Sequence, residues 1–69
     1  MDELIFIVTE AEEGGYNARA VGPSIFTQDG TREEIEKNVR EAVLCHFEPE
    51  MAAPKLIHLH YVHDQVIAV

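Results

Sequence analysis

The stretch TREEIEKNVREAVLCHFE, residues 31–48, decides the fold because it predicts one well-marked helix. Thr31 is a good N-cap residue, and Glu34 three positions later completes a Thr-x-x-Glu capping box. The helix is expected to end near Glu48, because Pro49 disfavours the α conformation in the residue before it. Apolar residues recur at helical spacing and predict one buried side. They are Ile35, Val39, Ala42, Val43 and Phe47.

Three strands are predicted before the helix, at about residues 3–11, 15–21 and 24–28. The first is apolar at both alternating positions, as in a strand buried on both faces, which places it in the middle of the sheet. Gly14 and Gly15 tolerate positive φ and predict the turn that follows it. The second strand alternates apolar or small residues with polar ones, which indicates a half-buried strand paired with the first.

A fourth strand is predicted over residues 55–69. It is longer than a typical strand, so a bulge or kink is expected near residues 63–65. A strand that returns through a helix to the same sheet makes a right-handed crossover, so the fourth strand lies parallel to the first. We therefore expect residues 1–69 to form one α+β domain of the type β-β-β-α-β, with a mixed four-stranded sheet in the order 3-2-1-4. One helix covers one face, and the uncovered face predicts a homodimer or homotetramer.

The composition limits the classes of function. Hydrophobic residues make up 46% of the chain, which is typical of a globular domain, and no apolar run approaches the length of a membrane span. Thirteen Asp and Glu residues against five Lys and Arg residues give a net charge of −8. This charge disfavours direct binding to nucleic acid or to an anionic membrane, and it is compatible with a basic protein partner. A single cysteine is compatible with a reducing compartment, and the acidic N-terminus differs from the basic start of a signal peptide. Both features predict a cytoplasmic protein.

Two histidines of the last strand, His58 and His60, are candidate metal ligands. Side chains at i and i+2 of a strand share a face, so both imidazoles can approach one ion. A third ligand is needed, such as His46 or a carboxylate, and no spacing in the sequence specifies one. The alternative is a strand face that is solvated or lies at a subunit contact, so we expect neither a bound metal nor a cofactor.

The sequence contains no arrangement typical of catalysis. Cys45 and His46 are adjacent on the predicted helix, so their side chains diverge by about 100° and do not form a nucleophile–base pair. Most carboxylates belong to a turn or to an exposed helix face, where they are usually solvated. We expect a protein that is not an enzyme. The alternative from a different class is a small metal-dependent enzyme or metal carrier built on His58 and His60.

Three segments together resemble a known family. They are residues 13–20 (EGGYNARA), 26–35 (FTQDGTREEI) and 38–43 (NVREAV). They are similar to the motifs E-G-G-Y-x-A, S-Q-G-D-T and E-E-A-x-x-N-x-x-E-A of the HicB-like antitoxin family, formerly an uncharacterised protein family. The resemblance covers about residues 4–48 and implies a partial RNase H-like fold. Full antitoxins of the family carry a DNA-binding domain after this module, and we expect this chain to lack one.

The resemblance implies a protein-interaction module of a toxin–antitoxin system. Antitoxins of this kind cover the basic RNA-binding face of a small RNA-cleaving toxin, so a small basic toxin-like protein is the expected partner. The acidic turn and the start of the helix are the surface expected to bind it. The candidate residues are Glu12, Glu13, Asp29, Glu33 and Glu34.

Overall fold

The computed structural model describes residues 2–47, 53–63 and 65–69. Within these residues, four strands and one helix follow one another along the chain. The strands form a mixed sheet in the order β3-β2-β1-β4, in which β1 pairs antiparallel with β2 and parallel with β4. This arrangement confirms the predicted fold class and strand order. The elements are β1 (Glu3–Glu10), β2 (Tyr16–Ala20), β3 (Phe26–Asp29), α1 (Arg32–His46) and β4 (Leu56–Val62).

The helix packs on one face of the sheet, and the core lies between them. Its start is capped as predicted, because Oγ1 of Thr31 accepts a hydrogen bond from the backbone N–H of Glu34 at 3.1 Å. The predicted apolar side of α1 is also confirmed, with Ala42 and Phe47 half-buried against the core. The buried residues of the core are Leu4, Phe6, Val8, Ala18, Ala20, Ile25, Ile35, Val39 and Val43.

The opposite face of the sheet is open in the described part of the chain. β1 is central, as predicted, but it is buried on one face only: Leu4, Phe6 and Val8 face the helix, whereas Ile5 is 39% exposed. The prediction that β1 is buried on both faces is therefore wrong for the single chain. The open face keeps apolar residues such as Phe26 in contact with solvent.

The fourth strand is much shorter than the predicted strand over residues 55–69. It ends at Val62, whose partner in β1 is Thr9, and β1 itself ends one residue later. A strand needs a neighbour for its backbone hydrogen bonds, and β1 offers none beyond Glu10. Residues 65–69 accordingly have no regular secondary structure. The prediction of a strand that continues to Val69 is wrong for the single chain.

Other boundaries differ by one or two residues. The third strand covers Phe26–Asp29 rather than residues 24–28. The helix ends at His46, since Phe47 already has an extended conformation, with φ −91° and ψ 120°. The predicted helix end at Glu48, and the part of the predicted kink at Asp64, lie outside the described residues. No helix in the described ranges is long and apolar enough to cross a membrane.

Candidate functional site

Two turns at one end of the sheet enclose a depression of about 620 Å³, which we call the acidic depression. The turn between β1 and β2 supplies Glu12 and Glu13, and the end of β3 supplies Asp29. Three of the five candidate partner-binding residues therefore line one concave surface. The remaining lining residues are Glu10, Ala11, Gly14, Tyr16, Asn17, Gln28 and Gly30.

Gly15 allows the two turns to lie against each other. Its φ is +84°, in the region that favours glycine, and a Cβ at this position would lie 2.6 Å from the backbone oxygen of Asp29. The next residue, Tyr16, is the register partner of Asp29 across β2 and β3. The close approach of the acidic turn to Asp29 therefore requires a residue without a side chain.

Asp29 fixes the turn between β3 and the helix. The backbone N–H of Gly30 donates to Oδ1 of Asp29 at 2.7 Å, and Nδ2 of Asn38 donates to Oδ2. A hydrogen bond from the carboxyl group of Glu34 is the main cause that lowers the pKa of Asp29, followed by the bond from Gly30. The same carboxyl–carboxyl bond raises the pKa of Glu34, because the protonated form can donate to the charged neighbour. Asp29 thus lines the depression and also holds the start of α1.

The other two candidate residues belong to the first turn of α1 and lie outside the lining of the depression. The carboxyl group of Glu34 lies close enough to Asp29 that its protonated form can donate to it, which raises the pKa of Glu34. Glu33 is exposed on the helix surface. Both carboxyl groups lie near the positive end of the helix dipole, which favours negative charge, but at Glu34 the effect of Asp29 is larger and raises the pKa. The structure therefore connects four of the five residues and leaves Glu33 on the adjoining helix surface.

A cation that sequence analysis missed lies at the start of the helix. The guanidinium carbon of Arg32 is 4.6 Å from the ring centroid of Tyr61 and 5.9 Å from that of Tyr16. The two rings meet edge to face, with centroids 6.2 Å apart. A hydrogen bond with Tyr16 is the main cause that raises the pKa of Arg32. The contact attaches the helix start to β2 and β4. It was not predictable from the sequence, because the strand register brings Tyr16 and Tyr61 together.

His58 and His60 lie side by side on the open face of the sheet. Their ring centroids are 6.4 Å apart and their planes differ by 27°. Nδ1 of His58 is 3.8 Å from Oε2 of Glu3. His46, considered above as a third ligand, is at the end of α1 and therefore on the helix side of the sheet. Among the described residues, no group of three or more His, Cys, Asp or Glu side chains is arranged to hold a metal ion.

Comparison with known proteins finds relatives that match four fifths or more of the chain. A UPF0150 protein of Thermotoga maritima is 45% identical over 67 residues, which cover 97% of this chain and 93% of the relative. A UPF0150 protein of Archaeoglobus fulgidus is 54% identical over 56 residues, which cover 81% of this chain and 82% of the relative. No protein-family model and no solved structure matches the chain.

Proposed function

The chain belongs to the UPF0150 family, and we propose that it is a non-catalytic protein-interaction module that acts as a HicB-type antitoxin. In this proposal it neutralises a small basic RNA-cleaving toxin by covering the toxin's RNA-binding surface. The observation that carries the proposal is the acidic depression, because a concave surface lined by carboxylates fits a convex basic surface.

The segments that resemble HicB-like antitoxins build this same surface. Residues 13–20 contain the end of the acidic turn and β2, and residues 26–35 contain β3 and the capped start of α1. These are the two parts of the chain that meet at Gly15 and Asp29. The resemblance and the geometry therefore support the same binding surface.

The charge distribution supports a basic partner. The chain has a net charge of −8, and Glu10, Glu12, Glu13 and Asp29 all line the depression. The nearby cation, Arg32, packs against two tyrosine rings. Complementary charge of this kind speeds the encounter of two proteins and makes the association rate sensitive to salt.

The hydrogen bonds of Asp29 support a structural role for this carboxylate rather than a catalytic one. Its two oxygens accept hydrogen bonds from Gly30 and Asn38, and the nearby carboxyl group of Glu34 lowers its pKa further. A general base must lie within hydrogen-bond reach of the proton that it removes, whereas these oxygens hold the turn and the start of the helix.

Calorimetry with a candidate toxin tests the proposal. The candidate is a small basic protein from the same organism whose gene adjoins that of this chain, and the lack of any such gene would itself contradict the proposal. Glu12→Gln with Glu13→Gln removes two charges from the depression. Asp2→Asn with Glu41→Gln removes two charges at exposed positions outside it and is the matched control. We expect the first double variant to bind at least about tenfold more weakly and the control to change affinity less than about threefold. Equal losses, or no binding by the unmodified protein, would contradict the proposal.

A further inference from the structure

The residues after β4 expose an apolar segment. We call residues 65–69 the tail. Val66 is 95% and Ile67 71% exposed, and Val69 is fully exposed. Consecutive exposed apolar residues are unusual on a soluble domain and indicate a surface that another molecule covers. Valine and isoleucine also favour strand structure.

The dimensions of the molecule indicate that the tail points away from the domain. The principal extents are 54 × 20 × 18 Å. An eight-residue strand such as β1 spans only about 27 Å, about half of the long dimension. The near-complete exposure of Val66 and Val69 indicates that the tail supplies much of the remaining length. The tail therefore continues past the end of the sheet rather than folding back against β4.

A groove between α1 and β4 offers a matching apolar surface. Its volume is about 550 Å³. The helix packs over β2 and β3, so it leaves β4 incompletely covered. Val43 and the exposed Leu44 form one wall, and Ile57 and Leu59 form the other. The groove also includes Ala53, just before β4 begins.

The outer edge of β4 can accept another strand. The backbone N–H of Leu56 donates to the backbone oxygen of Asp2 at 3.0 Å, so every second residue from Leu56 directs its backbone groups toward β1. The backbone groups of Ile57, Leu59 and Tyr61 consequently face outward, and these three side chains lie on the helix side of the sheet. An exposed edge of this kind is a template for pairing with a further chain.

We propose that two copies of the chain pair through their β4 edges in antiparallel orientation, and that the tail of each copy occupies the α1–β4 groove of the other. In an antiparallel pair centred near Val62, Ile67 of one copy lies opposite Ile57 of the second copy, and Ile57 lines the groove. The second copy thus supplies both the missing strand neighbour and the cover of the groove. A two-fold axis closes the assembly, because both copies use the same surface.

Strand alternation specifies which tail residues enter the groove. Residues of odd number in β4, such as Ile57, face the helix side. If the extended conformation continues, Ile67 and Val69 face the same side and enter the partner's groove, whereas Val66 extends the open face. This assembly goes beyond the proposed antitoxin function. It leaves both acidic depressions free, because they lie beside β3 and the β1–β2 turn.

Sedimentation of the full chain at micromolar concentration tests the proposal, with Ile67→Asp compared with Val66→Asp. Both substitutions place one charge in the tail, outside the buried core, so the circular dichroism of both variants should equal that of the unmodified protein. We expect a dimer for the unmodified protein. We expect Ile67→Asp to raise the dimer dissociation constant at least about 100-fold, and Val66→Asp less than about tenfold.

Mixing two defective variants shows whether the tail occupies the groove of the other copy or folds back into the groove of its own copy. Ile67→Asp damages the tail, and Leu44→Asp damages the groove. A mixed pair retains one intact tail facing one intact groove, so the mixture should form dimers at concentrations where each variant alone is monomeric. A monomeric unmodified protein, equal effects of the two tail substitutions, or no recovery on mixing would overturn the proposal.

Discussion

Replacing Gly15 by alanine should destabilise the protein more than the same replacement at Gly14. Both residues have positive φ, +84° and +97°, so each alanine carries a left-handed backbone strain of about 1–2 kcal/mol. At Gly14 the added Cβ has no described heavy atom within 4 Å. At Gly15 it would lie 2.6 Å from the oxygen of Asp29 and 3.2 Å from Cα of Gly30. These are backbone atoms, so relieving the overlap adds a further cost of about 1–3 kcal/mol.

The expected loss in free energy of unfolding is therefore about 1–2 kcal/mol for Gly14→Ala and about 2–5 kcal/mol for Gly15→Ala. Urea denaturation followed by far-ultraviolet circular dichroism measures both values, at one fixed protein concentration because self-association changes apparent stability. In a thermal scan, each kcal/mol corresponds to about 4–8 °C for a domain of this size. Equal losses for the two variants would refute the reasoning that the contact with Asp29 requires Gly15.

Two further predictions concern ionisable groups. The raised pKa of Glu34 stabilises the folded state at pH values below the unfolded-state pKa of 4.5, and this stabilisation is lost as the pH rises through the higher folded-state pKa. Glutamine resembles the protonated form of Glu34. Glu34→Gln should therefore raise the melting temperature near pH 7 and have little effect near pH 4. Glu33→Gln in the same helical turn is the control, and a gain of similar size there would contradict the role of the bond to Asp29. Equimolar zinc should raise the melting temperature by less than about 1 °C, because among the described residues no third side chain is arranged with His58 and His60 to hold a metal ion. A stoichiometric rise that disappears in the variant with His58→Gln and His60→Gln would support the metal-binding alternative.

The helix and the strand order could be predicted because their signals are local. Thr31 and the spacing of Ile35, Val39 and Val43 depend only on neighbours within a few residues, and the structure keeps both features. The parallel β4 follows from the handedness of a crossover through one helix. The end of β4 at Val62 was not predictable from its own residues. It depends on where β1 ends, because a strand without a neighbour leaves its backbone groups unpaired.

The candidate site was likewise predictable only in part. Glu12, Glu13 and Asp29 could be chosen from their place in turns, and the register of β2 and β3 brings them to one depression. The bond between Asp29 and Glu34 was missed, because the capping-box pattern suggests that the Glu34 side chain turns back to Thr31. Contacts between side chains from separate elements depend on the packing of those elements, which residue spacing alone does not specify.

The antitoxin proposal is tested most directly by titrating the cleavage of RNA. The candidate toxin, a small basic protein whose gene adjoins that of this chain, is incubated with a labelled RNA. The rate of cleavage is measured as increasing amounts of the chain described here are added. We predict that cleavage stops near a fixed stoichiometric ratio, and that the Glu12→Gln, Glu13→Gln double variant requires at least about a tenfold excess. Cleavage that continues unchanged at a saturating excess of the unmodified protein would contradict the account.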